Sequence, residues 1–466
     1  MKSSRIYSFL ILAVTPLLLV SCFAAKEYER PDVVKTENYR TDLLPQDSLN
    51  MAEVSWREMF TDPRLQSYIE EGLENNIDIR IAIQQMLAAE AYVKQGKAGY
   101  LPTLDLGANV NHQILSKNSQ FGSFFNGNIT QYDVTGNLSW EADIWGKIRS
   151  NKRALQADYL QTVAAHKAVK TRLIANIAIT YYQLLMLDEQ KRITLETINT
   201  RSKSLETTKA LKEAGNVTEV GVQQTEAQLY TAQSLLIDIN NEIRLLENSF
   251  SILLGTAPQQ IDRGELQDQE ISTPLHTGVP AQLLRNRPDV IAAEYNLVNA
   301  FELTNVAKSN FYPSLVLSAS GGFQSLDLKD LFNANSLFAN LAGSLAEPIL
   351  QGRRIRTQYE AAQARQQEAL LNFRQSILTA GKEVSDALYN YQASTDQIEV
   401  KTKEFGAYQK ASDYSQELLN NGLANYLEVL TARENALNSR LRLINAEFNQ
   451  LKSIVELYEA LGGGWQ

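Results

Sequence analysis

Three histidines, one cysteine and many carboxylates are what this chain offers to chemistry. His112, His166 and His276 stand far apart, and none has a second histidine or cysteine at metal-site spacing. There is no glycine-rich phosphate loop, no HExxH and no GxSxG, and the acidic residues read as solvated helix faces rather than as a glycosidase-like carboxylate pair. No catalytic residue, cofactor or resident metal is expected. Cys22 remains. It has no second cysteine to pair with, and it follows Lys2, Arg5 and an apolar core from Ile6 to Val20, the layout of a secretory signal. The Leu19-Val20-Ser21-Cys22 junction is similar to a bacterial lipoprotein signal, where cleavage leaves the cysteine first with lipid on its thiol and amine. Several acyl chains make a stable anchor where one does not.

Such a chain must work through the elements that the anchor holds in place. The chain has 466 residues, 44% hydrophobic and 21% charged, enough for a large folded core. A net charge of -9, with no basic stripe interleaved with aromatics, argues against a nucleic-acid partner. Past the signal, no apolar run reaches the ~20 residues of a membrane-spanning helix, so any crossing falls to strands. The mean hydropathy of -0.26 suits strands that expose apolar groups at alternate positions.

Four segments alternate in that way. Leu104, Leu106, Ala108 and Val110 mark the first strand; Tyr132, Val134, Leu138 and Trp140 the second. Leu315, Leu317, Ala319 and Phe323 mark the third, and Leu337, Ala339, Leu341 and Leu345 the fourth. Between and around them the period is helical. From Lys147 to Ala214 there is neither glycine nor proline, which predicts one helix of roughly 100 Å. A second long helix is expected from Arg353 to Asn421, with Gly381 and Gly406 unable to stop it. Shorter helices are expected over Leu65 to Gly99, Val217 to Leu254, Pro288 to about Asn310, and Leu423 to Leu461, with turns at Gly215 and Gly422.

The chain is written twice. A shift of 211 positions lays Asp78 on Asp289, Lys97 on Lys308, Pro102 on Pro313 and Leu104 on Leu315, and a shift of 206 or 207 lays Gly146 on Gly352 and Gly215 on Gly422. The expected divisions are a signal at 1–21, a mostly extended lipid-anchored tether at 22–64, a first repeat at 65–254, an equatorial linker at 255–287, a second repeat at 288–461 and a tail at 462–466. Each repeat supplies two strands. Four strands cannot close a barrel, and an open edge in lipid is forbidden energetically, so the chain must oligomerise. Three chains, with four helices each at every level, would enclose a lumen of roughly 28 Å.

SWEADIWGKIR, LLRNRPDVIAAE, the YLP and FYP joints, EPILQGRRIR, NNGLANYLEVL and the terminal ALGGGWQ together resemble the outer-membrane efflux protein (TolC-like) family, nearest its lipoprotein subgroup serving resistance-nodulation-division pumps. The resemblance implies a mainly α fold with β: a homotrimer with a 12-stranded outer-membrane β-barrel, four strands per chain, continuous with a long periplasmic α-helical barrel. It implies outer-membrane lipid, a periplasmic adaptor and an inner-membrane resistance-nodulation-division transporter as partners. The function implied is passive export of small toxic compounds such as drugs, detergents and dyes, with heavy-metal efflux or a type I secretion exit duct as alternatives of the same fold. In that family an acidic ring often lines a constriction just after the turn glycine. Here Glu428 follows Gly422 at one such position, whereas Thr431 departs from the acid found at the other. In the first repeat the matching places after Gly215 are Gly221 and Gln224, and Glu219 is the nearest acid. Hydrogen bonds around Asn420, Asn421, Asn425 and Tyr426 are expected to hold the closed tip. Tyr100, Trp140, Trp145, Phe311 and Tyr312 are expected at the periplasmic edge of the barrel, because aromatic residues favour a membrane interface.

Overall fold

The computed structural model describes residues 25–33, 39–40, 50–116, 118–119, 122, 128–269, 271 and 276–465. Cys22 and the signal over 1–21 lie outside the described residues. Two compact units form. One gathers the described residues up to Pro31 with Met86–Thr162 and Ala293–Phe373, and the other gathers Asp32–Gln85, Val163–Ala292 and Arg374–Gln466.

The first unit contains the sheet. Strands β1 (Thr103–Ile114), β2 (Asn128–Ala142), β3 (Ser314–Ser325) and β4 (Leu337–Ala346) pair antiparallel in the order β1-β2-β3-β4. All four segments expected to be strands are strands. The two repeats meet at β2 and β3, where Trp140 faces Leu317 and Leu138 faces Ala319.

Helices α1 (Pro63–Asn75) and α2 (Ile77–Ala98) precede the sheet, and α3 (Lys147–Glu213) and α4 (Glu219–Leu253) follow β2. The second repeat answers with α5 (Pro288–Ser309) before β3, and with α6 (Arg354–Asn420) and α7 (Tyr426–Ala460) after β4. The two long helices have 67 residues each, the two return helices 35 each, and α2 and α5 have 22 each. Asp143 starts α3: its two carboxylate oxygens accept from the backbone N–H of Ile148 and Arg149, each at 2.9 Å. Gly381 and Gly406 do sit within an unbroken α6.

The single helix expected from Leu65 to Gly99 is two helices. Asn76 leaves helical backbone with ψ 133°. Its Oδ1 accepts from the N–H of Asp78 at 2.9 Å and of Ile79 at 3.2 Å, and its Nδ2 donates to Leu253 O at 2.9 Å. The apolar period runs through the joint undisturbed, so periodicity does not reveal it; the cap chemistry of a buried asparagine does.

The expected extended tether is partly core. Asn50 and Ser55 cap short helical turns at Met51–Glu53 and Trp56–Met59, and Met51, Ala52, Trp56, Met59 and Phe60 are buried. The segment 25–31 is also docked, in the first unit. The Asn305 side chain accepts from Lys26 N at 3.3 Å and donates to Lys26 O at 3.0 Å, while Arg30 holds Glu294 with two bonds of 2.6 and 2.7 Å. Between them the Tyr28 ring packs edge-on against Phe301, with centroids 5.7 Å apart.

The second unit has its largest fully buried side chains at Tyr181, Phe60 and Phe250. Tyr181 donates to Asp62 Oδ2 at 2.7 Å. Arg263, from the segment expected as a linker, pairs with Asp188 on α3 at 2.5 Å and Glu247 on α4 at 2.6 Å. That segment is pinned to α3 and α4.

Candidate functional site

The sheet sorts residue types by row. One row reads Leu104, Leu138, Ala319 and Leu341 across the four strands; the adjacent row reads Asp105, Asn137, Ser320 and Asn340. Because neighbouring residues point to opposite faces, the two rows belong to an apolar and a polar face. Leu106 and Leu341 are 81% and 82% exposed, so among the described residues nothing covers these leucines of the apolar face. Strands of 12, 15, 12 and 10 residues are long enough to cross a bilayer core. On the polar face Asn109 donates to Asp133 at 2.9 Å.

The five aromatic residues singled out in sequence gather where strands meet helices. Trp140 Nε1 donates to Tyr100 O at 2.9 Å, and Trp145 Nε1 donates to Pro313 O at 2.7 Å. The Trp145 and Tyr312 rings stack at 4.9 Å, and Phe311 meets Tyr359 edge-on at 5.7 Å. Each indole thus has its polar tip satisfied, and Trp140, opposite Leu317, sits at the end of the apolar face, the division of labour that suits a membrane–water boundary.

At the far ends of the long helices the chain turns on Gly215 and Gly422, at φ 81° and 72°. In both turns the glycine N–H and the next N–H reach back to the last helical carbonyls. Gly215 donates to Lys212 O and Asn216 to Leu211 O, each at 2.9 Å; Gly422 donates to Leu419 O at 3.0 Å and Leu423 to Leu418 O at 2.8 Å. A side chain at either glycine would be held in left-handed backbone.

The candidate gate residues are distributed over the two turns. Glu428 is the third residue of α7 and is exposed. Its N–H donates to Asn425 Oδ1 at 3.0 Å, and its Oε1 accepts from Asn425 Nδ2 at 2.9 Å, a reciprocal cap of the helix start. Thr431 is exposed and donates to Leu427 O of its own helix at 2.9 Å. Glu219, the first residue of α4, pairs across the turn with Lys212 and accepts from Gln223 at 2.9 Å. The Lys212 bond holds its carboxyl below the usual range, with Gln223 adding to the effect.

Within one chain, the asparagines expected to hold the closed tip bond to neighbours in sequence. Asn420 accepts from Gln416 within α6, and Asn421, just past its end, donates to Glu417 O; Asn425 is occupied by Glu428. The Tyr426 hydroxyl is buried with no partner among the described residues. Short amide side chains at a helix end find their nearest partners in their own last turn.

Arginines make the cross-helix ties instead. Arg201 of α3, 4% exposed, donates to Gln228 O of α4 and to Glu434 of α7, both at 2.5 Å. Arg433 of α7 reaches Ser204 of α3, and Gln416 of α6 at 2.7 Å. Burial draws the Arg433 guanidinium below its usual pKa, Arg201 adds to that, and Tyr426 opposes it. Arg440 of α7 donates to Glu189 of α3 at 3.2 Å and lies over the Phe405 ring. A cavity of about 1210 Å³ remains between the two turns, lined by Asn216, Gln224, Asn425 and Tyr426 among others.

These faces and turns have a known context. The family model described as outer membrane efflux protein matches residues 68–256 and 279–463. The chain belongs to the outer membrane efflux protein family. It is 28% identical over 467 residues to the cation efflux system protein CusC of Escherichia coli O6:H1, covering 97% of both chains. It is 29% identical over 461 residues to the solvent efflux pump outer membrane protein SrpC of Pseudomonas putida, covering 96% of this chain and 97% of that one. Its fold is that of the outer-membrane channel OprN, with a TM-score of 0.86 over 95% of this chain and 99% of OprN at 24% identity. As a member of that family, the chain is an outer-membrane efflux channel protein.

Within this efflux protein, sequence reasoning missed Arg201, Arg433, Glu434 and Arg440. The available signal was the spacing on α3, where Thr194, Arg201 and Thr208 recur every seven residues and are all buried. Polar residues on a helical seam imply partners on a facing helix. A general reading of charged helices as solvated concealed them.

Proposed function

We propose that three copies of this chain close one barrel from their four-stranded sheets and export small toxic organic compounds through it, receiving them from a periplasmic adaptor and an inner-membrane resistance-nodulation-division transporter. The observation that carries this is the pairing of an uncovered apolar sheet face with two open strand edges in a chain of the efflux family. Unpaired backbone groups cannot stay in hydrocarbon, so other copies must supply the missing pairs. The transporter supplies the energy, and this chain does no catalysis. Cys22 carries the lipid anchor. In support, the docked segment that begins three residues later meets α5 at Asn305, close to the end of the helix that feeds β3.

Cargo is a matter of which relative to follow, since one is named for cations and another for solvents. Five methionines and three histidines in 466 residues are little material for a soft-metal relay. We therefore favour organic cargo. The deciding measurement is a susceptibility panel on a strain lacking the gene. Sensitisation to dyes, detergents and hydrophobic drugs is expected; sensitisation to copper or silver alone would reverse the cargo assignment. Complementation with Cys22→Ala should restore no palmitate labelling of the protein, and equal labelling would remove Cys22 as the anchor.

A further inference from the structure

The internal repeat also specifies how one copy pairs with the next. A shift of 211 positions carries β1 onto β3 (Thr103 onto Ser314), and a shift of 207 carries β2 onto β4 (Ser139 onto Ala346). The hydrogen-bonded registers obey both shifts. Thr103 faces Ser139 as Ser314 faces Ala346, Leu104 faces Leu138 as Leu315 faces Leu345, and Leu106 faces Gly136 as Leu317 faces Gly343. The two hairpins are therefore one structural unit used twice.

The junction between those units is visible within the chain as the β2–β3 pairing. In a closed barrel the other junction of each unit joins β4 of one copy to β1 of the next, the two edges left open here. We propose that this junction repeats the β2–β3 register, so that β4 of one copy pairs antiparallel with β1 of a second copy from Ala346 opposite Gly107 to Ala339 opposite Ile114. The proposal rests on the trimer reading above. Each pair follows from an observed one. Leu138 opposite Ala319 becomes Leu345 opposite Ala108, and Asn137 opposite Ser320 becomes Ser344 opposite Asn109. Gly136 opposite Gly321 becomes Gly343 opposite Val110, and Val134 opposite Phe323 becomes Leu341 opposite His112.

Two physical tests were not built into the shifts, and the register satisfies both. It keeps faces together: Leu345, Gly343, Leu341 and Ala339 meet Ala108, Val110, His112 and Ile114 on the apolar side, while Ser344 and Asn340 meet Asn109 and Gln113 on the polar side. A slip by one residue would set one face against the other. It also matches size at three of the four pairs in that row, with Leu345 opposite Ala108 and with Gly343 and Ala339 opposite the branched Val110 and Ile114; Leu341 opposite His112 is the one pair of two large side chains. A slip by two residues in one direction would set Leu345 on Leu106 and Leu341 on Val110. Cross-strand pairs of unlike size fill the row without crowding.

The copy cannot be literal at Asn111, the counterpart of Gly322. At Gly322 a Cβ would stand 2.0 Å from Val134 O, so the strand crossing between copies must be less bent at that point. Register is what the repeat transfers, and the local bend is not.

The test uses the full chain, with Cys22 retained, expressed in the outer membrane. Adjacent positions in an antiparallel pair alternate between hydrogen-bonded and non-hydrogen-bonded geometry, so Gly343→Cys with Val110→Cys and Ser344→Cys with Asn109→Cys together sample both. At least one of these double variants is expected to form a reducible disulfide between copies. The slipped pairs Gly343→Cys with Ala108→Cys, Gly343→Cys with His112→Cys, and Ser344→Cys with Asn111→Cys should not, because diagonal neighbours exceed disulfide reach. Native mass of each variant in mild detergent separates the two claims. Trimers that cross-link only at a slipped pair, or at none of the pairs, overturn the register and leave the trimer standing. A monomer or dimer of the wild-type chain overturns the trimer reading itself.

Discussion

The joint before α2 and the joint before α5 perform one task with different chemistry. Asn76 and Arg287 stand 211 positions apart, and each ends a short helix and reaches the last carbonyl of a return helix: Asn76 donates to Leu253 O at 2.9 Å, Arg287 to Ala460 O at 3.0 Å. Beside both, the backbone approaches so closely that a Cβ would stand 2.3 Å from Asn75 O at Gly255 and 2.4 Å from Asn286 O at Gly462. The first joint is neutral. The second is ionic, with Arg287 bound to Asp289 and to Glu383, each at 2.5 Å. The repeat sets where the joint lies and which carbonyl it must satisfy, and leaves the chemistry free.

That difference predicts unequal damage. Arg287→Ala removes a side chain that is 9% exposed and strands two carboxylates that are 41% and 44% exposed. Their partial access to water limits the loss, so about 3 kcal/mol is expected, the low end for a broken buried pair. Asn76→Ala removes a cap and one buried hydrogen bond, and about 1–2 kcal/mol is expected. Denaturant midpoints of the detergent-solubilised assembly measure both. Equal losses would mean that the charges at the second joint add nothing to what the carbonyl contact supplies.

A pH profile sharpens the same contrast. Next to Ala460 the second repeat has Glu459, where the first repeat has Ile252, which is 63% exposed. Burial pushes the Glu459 carboxyl up to about 7, against the pull of Arg172 and Arg287 and with a push from Glu383 and Glu456. The folded state therefore holds this proton more tightly than the unfolded chain. The resulting stability is fully present below about 4.5 and is lost as pH rises to about 7. With the side chain partly open to water, the loss should be about 2 kcal/mol per copy. Glu459→Gln should flatten that part of the profile. An unchanged slope in the variant would place the titration elsewhere.

What could be read in the sequence follows from the range of the interaction. Helix lengths and strand faces depend on neighbours three or four, or two, positions away, so Leu104 to Val110 and the glycine-free run from Lys147 declared themselves. The turns at Gly215 and Gly422 did too, since left-handed backbone selects glycine locally. Asn76 was missed because its decisive partner, Leu253, is 177 positions away. Arg201 was missed for the same reason: its carboxylate partner Glu434 is 233 positions away. The gate candidates were named from a resemblance at one position each, and the structure gives Glu428 a local partner, Asn425, whose three-residue spacing was a helix-start signal left unused.

The two tips carry the smallest expected effect and the most specific one. At the first, Glu219 is bound to the Lys212 ammonium, which cancels its charge across the turn. At the second, Glu428 is bound among the described residues to the neutral Asn425 alone, so its charge remains available to ions. Three copies near a pore axis would then present an acidic ring that attracts cations, whereas three copies of Glu219 would not. Glu428→Ala confounds charge with the lost cap, although at an exposed helix start that loss is only about 0.5–1 kcal/mol. Glu428→Gln separates the two, because an amide oxygen can still accept from Asn425 Nδ2 while the charge is gone. In planar bilayers Glu428→Gln should reduce cation selectivity and divalent-cation block with little change in stability, and Glu219→Gln should leave both conduction properties unchanged. If Glu428→Gln keeps the wild-type reversal potential and block at every salt concentration, Glu428 does not line the constriction. Its part is then the cap of α7, and Glu428→Ala should show that as a small loss of stability alone.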